Sequence, residues 1–337
     1  MADIGVIGSG TWGTALTVHL ADMGHKVTLW STFKEEIDAL ASTHRHPNLP
    51  GAVIPESVSF TSELCEAMKD KELLILAVPS IFTRQTARRM KEYIVDGQLI
   101  VNVAKGIEED SLKTQTDITE EELPEANVAV LSGPSHAEEV SVGMPTAVVV
   151  GAHDKKTAER VQNIFMSPDF RVYISPDMKG IEVGGSLKNV IALAAGMAAG
   201  LGYGDNTAAA LMTRGVTELG RLGKAMGSAT ETFYGLAGIG DLIVTCASKH
   251  SRNRRAGVLI GQGKSMEEAM AEVKMVVEGV YSAKAAMQLA LKYKVDMPIV
   301  AEVNKILFEG RSASEAVVNL MCRDKQSENP DMEWDRQ

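Results

Sequence analysis

Short, continuous apolar runs alternate with amphipathic stretches along the first half of the chain. The runs at 3–7, 26–30, 58–60, 72–78, 98–103, 128–132 and 145–150 predict strands, and a last strand is expected around 171–174. Leu73-Leu-Ile-Leu-Ala-Val78 and Ala147-Val-Val-Val150 are apolar at every position rather than every second one. That pattern suits strands covered on both faces, as in a parallel sheet. Helices are expected between them, for example over 61–69 and 80–93. From about Asp177 the pattern changes. Ala-, Gly- and Met-rich segments at 177–202, 205–227, 253–262, 266–272, 280–293, 298–309 and 312–320 predict helices, with no further strand. Ser265-Met-Glu-Glu268 reads as a capping box, and Ala195-Ala-Gly-Met-Ala-Ala-Gly200 as a face for close helix packing.

Composition narrows this picture. A chain of 337 residues exceeds one typical core, so two domains are expected. With 45% hydrophobic and 23% charged residues it reads as globular, and its net charge of −10 disfavours nucleic acid and anionic membrane surfaces. An anionic substrate would need a local basic pocket. Cys65, Cys246 and Cys322 lack the spacing of a disulfide framework or zinc site, which suits a reducing compartment, so the expected location is cytoplasmic. No signal peptide is read ahead of the first strand. The most apolar run, Val190 to Leu201, falls short of the roughly 20 residues that span a bilayer, and predicts a buried core helix instead.

The candidate chemistry begins at Gly8-Ser9-Gly10-Thr11-Trp12-Gly13, placed between the first strand and the first helix. In a G-x-G-x-x-G turn, Gly8 permits the tight bend, Gly10 lets the backbone approach a pyrophosphate, and Gly13 lets helix and strand pack closely. The same glycines would also suit a turn that merely packs an α/β unit. As ligands bind outside the carboxyl ends of parallel strands, the residues immediately after each strand should converge. They are the glycine turn, Ser31-Thr32-Phe33-Lys34, Pro79-Ser80, Lys105-Gly106 and Ser132-Gly133-Pro134-Ser135-His136-Ala137. Lys105 would point into the cleft or remain a solvated charge. An NAD site usually carries an acid after the second strand. Here Ser31 and Thr32 stand there with Lys34 near, so nothing repels an NADP 2′-phosphate and a hydroxyl and the lysine would welcome one, although no arginine is present to hold it. Glu35 and Glu36 fall on the next helix. The fold expected is α/β, an N-terminal Rossmann-type doubly wound, mostly parallel sheet followed by an all-α C-terminal domain. The divisions are a dinucleotide-binding domain over 1–180, a helical substrate-binding domain over 181–323, and a flexible polar tail over 324–337.

Two polar clusters interrupt the helical half. Lys188, with Asn189, precedes Val190 and Ile191, where desolvation would lower its pKa and suit it to proton transfer. The alternative is a snorkelling lysine with only its stem buried. Asp241 is a lone acid in what reads as an apolar, glycine-rich loop, and a buried carboxylate needs a cation or donors. Lys188 is the natural candidate. Ser251-Arg252-Asn253 lies near a helix start, where a phosphate would meet a guanidinium and free N–H groups, unless the segment is only a solvated basic loop.

These motifs in order, with Val78-Pro-Ser80, Val103-Ala-Lys-Gly106, Gly238-Ile-Gly-Asp241-Leu-Ile-Val-Thr245 and Val276-Val-Glu-Gly279, closely resemble the bacterial NAD(P)-dependent sn-glycerol-3-phosphate dehydrogenases over about residues 3 to 320. The resemblance implies a set of roles. Gly8, Ser9, Gly10, Thr11, Trp12, Gly13, Thr32, Lys105, Ala137, Arg252, Val276 and Glu278 would bind NADP or NAD. Lys105, Gly133, Ser135, Lys188, Asp241, Ser251, Arg252 and Asn253 would bind dihydroxyacetone phosphate or sn-glycerol 3-phosphate. Lys188 would be the proton donor and acceptor, Lys105 would orient the substrate, and Asp241 and Thr245 would position Lys188. No metal is implied. The product would feed phospholipid synthesis. The position of Ser31 and Thr32 departs from relatives, which often carry histidine or arginine there. The partners expected are the small-molecule substrate and a second copy of the chain, with no nucleic acid and no membrane span. Another β-hydroxyacid or 6-phosphogluconate type dehydrogenase is the alternative enzyme. A non-catalytic dinucleotide sensor is the alternative of another class, and it would need neither Lys188 nor Asp241.

Overall fold

The computed structural model describes residues 1–328, so most of the tail expected over 324–337 lies outside the described residues. Chain order begins β1 (Asp3–Ile7), α1 (Thr11–Asp22), β2 (Lys26–Trp30), α2 (Lys34–Thr43), β3 (Ser59–Thr61), α3 (Leu64–Met68) and β4 (Leu73–Leu76). It continues with α4 (Thr83–Met90), β5 (Leu99–Asn102), α5 (Gln115–Glu122), β6 (Asn127–Ser132), α6 (Ala137–Val140), β7 (Thr146–Ala152), α7 (Lys155–Phe165) and β8 (Phe170–Ser175). The strands form one sheet in the order β3-β2-β1-β4-β5-β6-β7-β8. The continuously apolar runs are central: every residue of Leu73–Leu76 and Leu99–Asn102 is buried between helices on the two faces. The chain order reverses at β1, which lies between β2 and β4, and this is where a doubly wound sheet opens its crevice.

One pair breaks the parallel rule. β6 and β7 are antiparallel, while β7 and β8 are parallel. Only thirteen residues join β6 to β7 and they hold one short helix, so the segment is about as short as a parallel crossover allows. The reversal sets the course of the next helix. β8 ends with Ser175 opposite Gly151, itself opposite Val130 of β6. Helix α8 (Met178–Gly200) starts there, with Met178 and Ile181 against Gly151, and reaches Ser132 at Gly185. α8 therefore runs parallel to β6 and delivers Lys188 just beyond the carboxyl edge of the sheet.

The other helices are α9 (Asp205–Ala225), α10 (Asp241–Ala247), α11 (Arg252–Gly261), α12 (Met266–Val273), α13 (Glu278–Tyr293), α14 (Pro298–Phe308) and α15 (Ala313–Met321). They surround α8. Helices α8 and α11 touch through glycines: a Cβ on Gly196 would lie 2.2 Å from the Arg254 carbonyl oxygen, and one on Gly257 2.2 Å from that of Leu193. The capping box at Ser265 and Glu268 is present. With 23 residues, α8 is longer than its apolar run, because it begins in the more polar segment from Met178. By length and composition it could cross a membrane, but 89% of its most apolar stretch is buried inside the fold, which makes it the core helix of this half.

Candidate active site

The glycine turn is built as the sequence predicts. Gly8 has φ +125°, and a Cβ there would lie 2.7 Å from the Ala77 carbonyl oxygen. A Cβ on Gly13 would come within 1.9 Å of the Gly8 carbonyl oxygen, so the turn closes only on glycine. Gly10 differs, since a Cβ there would meet nothing within 4 Å. It faces the open cleft at the start of α1, where no side chain caps the helix. The uncapped N–H groups suit a pyrophosphate, and the buried Trp12 indole N–H has no partner. A dinucleotide fits these residues.

A cleft of about 400 Å³ runs from this turn to the helical half. Gly10, Thr11 and Trp12 line one side, with Lys105, Ser135 and Ala137 beyond them. Lys188, Thr245, Ser251, Arg252 and Asn253 line the other side, with Val276 and Glu278 at its border. Gly8, Ser9, Gly13, Gly133 and Asp241 lie behind this lining rather than in it, and Thr32 lies apart at the end of β2.

At the centre are two lysines on one carboxylate. Lys188 is 5% exposed and Asp241 1%. Lys188 Nζ donates to Asp241 Oδ1 and, over 2.7 Å, to Thr245 Oγ1. Lys105 Nζ donates to Asp241 Oδ2 over 2.8 Å and to the Gly133 carbonyl over 3.1 Å. Thr245 Oγ1 is itself fixed, donating to the Asp241 carbonyl over 2.6 Å. An ammonium has three N–H donors. Each lysine thus keeps one uncommitted among the described residues, and both line the cleft. The cluster carries a local charge of about +1 inside an acidic chain, as an anionic substrate requires. Burial lowers the Lys188 pKa well below the usual lysine range; Asp241 pulls it up and the Lys105 charge pushes it down. Burial opposes ionisation of Asp241, but the two ammonium groups outweigh it and hold its pKa below the usual carboxylate range.

Asp241 is not in a loop, as its sequence context suggests. It is the first residue of α10, at a helix N-terminus that favours negative charge, and it succeeds one turn of π-helix over Leu236–Gly240. A glycine of α8 lets it pack closely on this turn: a Cβ on Gly184 would lie 2.6 Å from the Ala237 carbonyl oxygen. Close approach of the two helices brings Asp241 onto Lys188.

Ser251 caps α11, accepting from the Arg254 N–H over 3.2 Å, and Arg252 opens the helix facing the cleft. Asn253 ties three helices, donating to Asn189 Oδ1 and accepting from the Gly279 N–H, each at 2.9 Å. Glu278 spans the cleft, its carboxylate accepting from the Ser80 N–H and hydroxyl; burial raises its pKa.

Sequence reasoning missed Asn48 and His250 in the cleft, and placed His136 in a converging loop without giving it a role. Burial and the Lys188 charge lower the pKa of His136, and its Nε2 has no partner. The basic motif context was the only available signal. At the end of β2, two expectations are corrected. Ser31 does not offer its hydroxyl, which donates to Glu36 over 2.8 Å, and Lys34 is paired with Asp38 at 2.8 Å. The arginine that seemed absent arrives from α4: Arg89 Nη1 donates to Thr32 Oγ1 over 3.2 Å. A second depression, about 700 Å³, lies away from this chemistry between α11–α12 and α14–α15; its Lys264 and Arg311 are paired with Glu272 and Glu302.

Comparison with known proteins agrees with this geometry. Residues 3–158 match the model of the NAD-dependent glycerol-3-phosphate dehydrogenase N-terminus, and residues 177–318 that of its C-terminus. The chain is 58% identical over 335 residues to glycerol-3-phosphate dehydrogenase [NAD(P)+] of Agathobacter rectalis, covering 99% of this chain and 100% of that one. It is 59% identical to the enzyme of the same name from Fusobacterium nucleatum, over 97% and 99% of the two chains. The crystal structure of glycerol-3-phosphate dehydrogenase from Coxiella burnetii superposes with a TM-score of 0.91 at 36% identity, over 96% of this chain and 99% of that one. A chain with a nucleotide-ready glycine turn, a buried amine across a cleft from it and these relatives belongs to the NAD-dependent glycerol-3-phosphate dehydrogenases, a family of oxidoreductases.

Proposed function

We propose that this chain interconverts dihydroxyacetone phosphate and sn-glycerol 3-phosphate, with Lys188 moving the proton. In this reading residues 1–180 hold the dinucleotide and 181–323 the substrate. The observation that carries it is the pair of lysines on Asp241 at the floor of the cleft, each with a spare N–H. The dinucleotide, when bound, supplies or accepts the hydride. Lys188 donates a hydrogen bond to the ketone oxygen, stabilises the negative charge growing there, and delivers the proton. Its lowered pKa makes that transfer easier near neutral pH. Asp241 keeps the amine charged in a buried site and, with Thr245, fixes its direction. Lys105 offers a second positive charge to the same substrate. Arg252, Ser251 and Asn253 bind the phosphate, whose remote binding energy orients the ketone. Gly133 and Ser135 shape the opposite wall, and Ser135 Oγ is itself oriented by donating to the Gly133 carbonyl over 2.8 Å.

A steady-state assay tests this. Oxidation of NADH or NADPH is monitored with dihydroxyacetone phosphate, with β-hydroxyacids and 6-phosphogluconate as reverse-direction comparisons. Turnover confined to the triose phosphate pair is expected. Turnover with the hydroxyacids alone would overturn the substrate assignment. Nucleotide binding without turnover on any of them would favour a sensor.

A further inference from the structure

We propose that Arg89 selects the dinucleotide by binding the 2′-phosphate of NADPH; this rests on the dinucleotide reading above. The Gly8 N–H donates to the Trp30 carbonyl over 3.1 Å, so the glycine turn and the end of β2 are adjacent. A dinucleotide with its pyrophosphate at the start of α1 carries its adenosine ribose to that end. Several of the charged and hydroxyl groups there are already engaged. The Ser31 hydroxyl is donated to Glu36, and Lys34 is held by both oxygens of Asp38. Lys34 sits in an exposed pair beside the Asp38 carboxylate, and Ser31 would have to leave Glu36 to meet a phosphate. Glu36 would oppose one, and its carboxylate is engaged by Ser31. Arg89 remains. Its guanidinium carbon lies 5.3 Å from the centroid of the Trp30 ring, and Nη1 donates to Thr32 Oγ1. It pairs with no carboxylate among the described residues. The aromatic face and the threonine hold the exposed guanidinium at the strand end and leave its remaining N–H groups for a ligand. A planar, weakly hydrated fork pre-positioned in this way suits a phosphate dianion. A ribose hydroxyl gains far less from it. Arg89 lies 57 residues from Thr32 in sequence, so the position after β2 cannot reveal it.

The test measures binding and turnover. By calorimetry, the wild-type protein is expected to bind adenosine 2′,5′-bisphosphate more tightly than AMP. Arg89→Ala should cost the bisphosphate about tenfold or more, the usual size of a charge-assisted hydrogen bond, and AMP much less. The ratio of kcat/KM for NADPH to that for NADH should fall by a similar factor. Equal losses on both ligands would mean that Arg89 serves the adenine or the fold, and would overturn the proposal, as would no loss on either. Should Arg89→Ala fail to fold, Arg89→Lys decides: a severalfold fall in the ratio supports the proposal, and an unchanged ratio overturns it. An enzyme that turns over dihydroxyacetone phosphate with an unmoved ratio refutes the role of Arg89 alone. Absence of turnover with either nucleotide counts against the function itself.

Discussion

The glycine turn and the lysine–aspartate cluster face each other across one cleft and work by opposite means. The turn offers main-chain N–H groups at an uncapped helix start, and its glycines make the room: Gly10 opens onto empty space while Gly13 leaves none. The cluster offers side-chain charge in which every group is held by another, with Lys188 and Asp241 buried and Lys105 partly so. Backbone sites tolerate a ligand arriving and leaving because they need no compensating charge. A buried amine needs its counter-ion permanently. The half of the molecule that binds can therefore be assembled from neighbouring residues, whereas the half assigned the chemistry must be assembled from distant ones.

The comparison breaks most sharply at Lys188. Lys188→Ala should lower kcat by about 10³-fold or more while nucleotide affinity, read by fluorescence titration, stays unchanged. Near-normal turnover would remove the proton-transfer role. Asp241→Asn should leave the buried Lys188 ammonium and the partly buried Lys105 ammonium without a counter-ion, costing about 3 kcal/mol of stability in denaturant unfolding. It should also move the pH profile. Ketone reduction needs the ammonium, so kcat falls as pH rises through the Lys188 pKa, already below the usual lysine range. Loss of the carboxylate lowers that pKa further, so the inflection should move to lower pH; a shift upward would contradict the assignment.

On the other side, Gly13→Ala and Gly10→Ala should separate folding from binding. The first forces a Cβ into the Gly8 carbonyl and should destabilise by about 2 kcal/mol. The second should leave the melting temperature unchanged and raise KM severalfold for both nucleotides, because the methyl group occupies the approach to the pyrophosphate. If both substitutions behave alike, Gly10 is only part of the turn. The smallest effect concerns a buried carboxylate without a cation. Glu218 accepts only the Ile299 and Val300 N–H groups, and burial pushes its pKa up to about 7. Its protonated form is favoured in the folded state. The stabilisation linked to it is therefore full below its unfolded value, about 4.5, and is lost as pH rises through about 7. Glu218→Gln should flatten the decline of melting temperature across that window, and an unaltered slope would exclude Glu218 as its source.

The same division governs how much of the molecule was legible in the chain. The strands and the helices of the second half lie within a few residues of their periodic patterns because those patterns reflect local burial. The pairing of Lys188 with Asp241 was inferable, since an isolated acid and an isolated lysine in apolar contexts each require a partner. That Lys105 shares the same carboxylate, across a separation of 136 residues, was not. Nor was the helical start at Asp241, because Gly235, Gly238 and Gly240 read as a loop until α8 packs on the turn at Ala237 and Gly238. Arg89 went unseen for the same reason: its partner Thr32 belongs to another strand–helix unit.

Spacing along the chain was enough for the strand–turn–helix that opens it, for the change from alternating strands to helices near Asp177, and for the residue types able to hold a phosphate and move a proton. Covalent geometry converts such spacing directly into local structure. Where the charges meet was settled only by packing. Reversal of β7 turns α8 back along β6, brings Lys188 to the carboxyl edge and sets it, with Lys105, on one buried carboxylate. A charge interaction depends on distance through space, and that distance is set only when the sheet and the helices have packed.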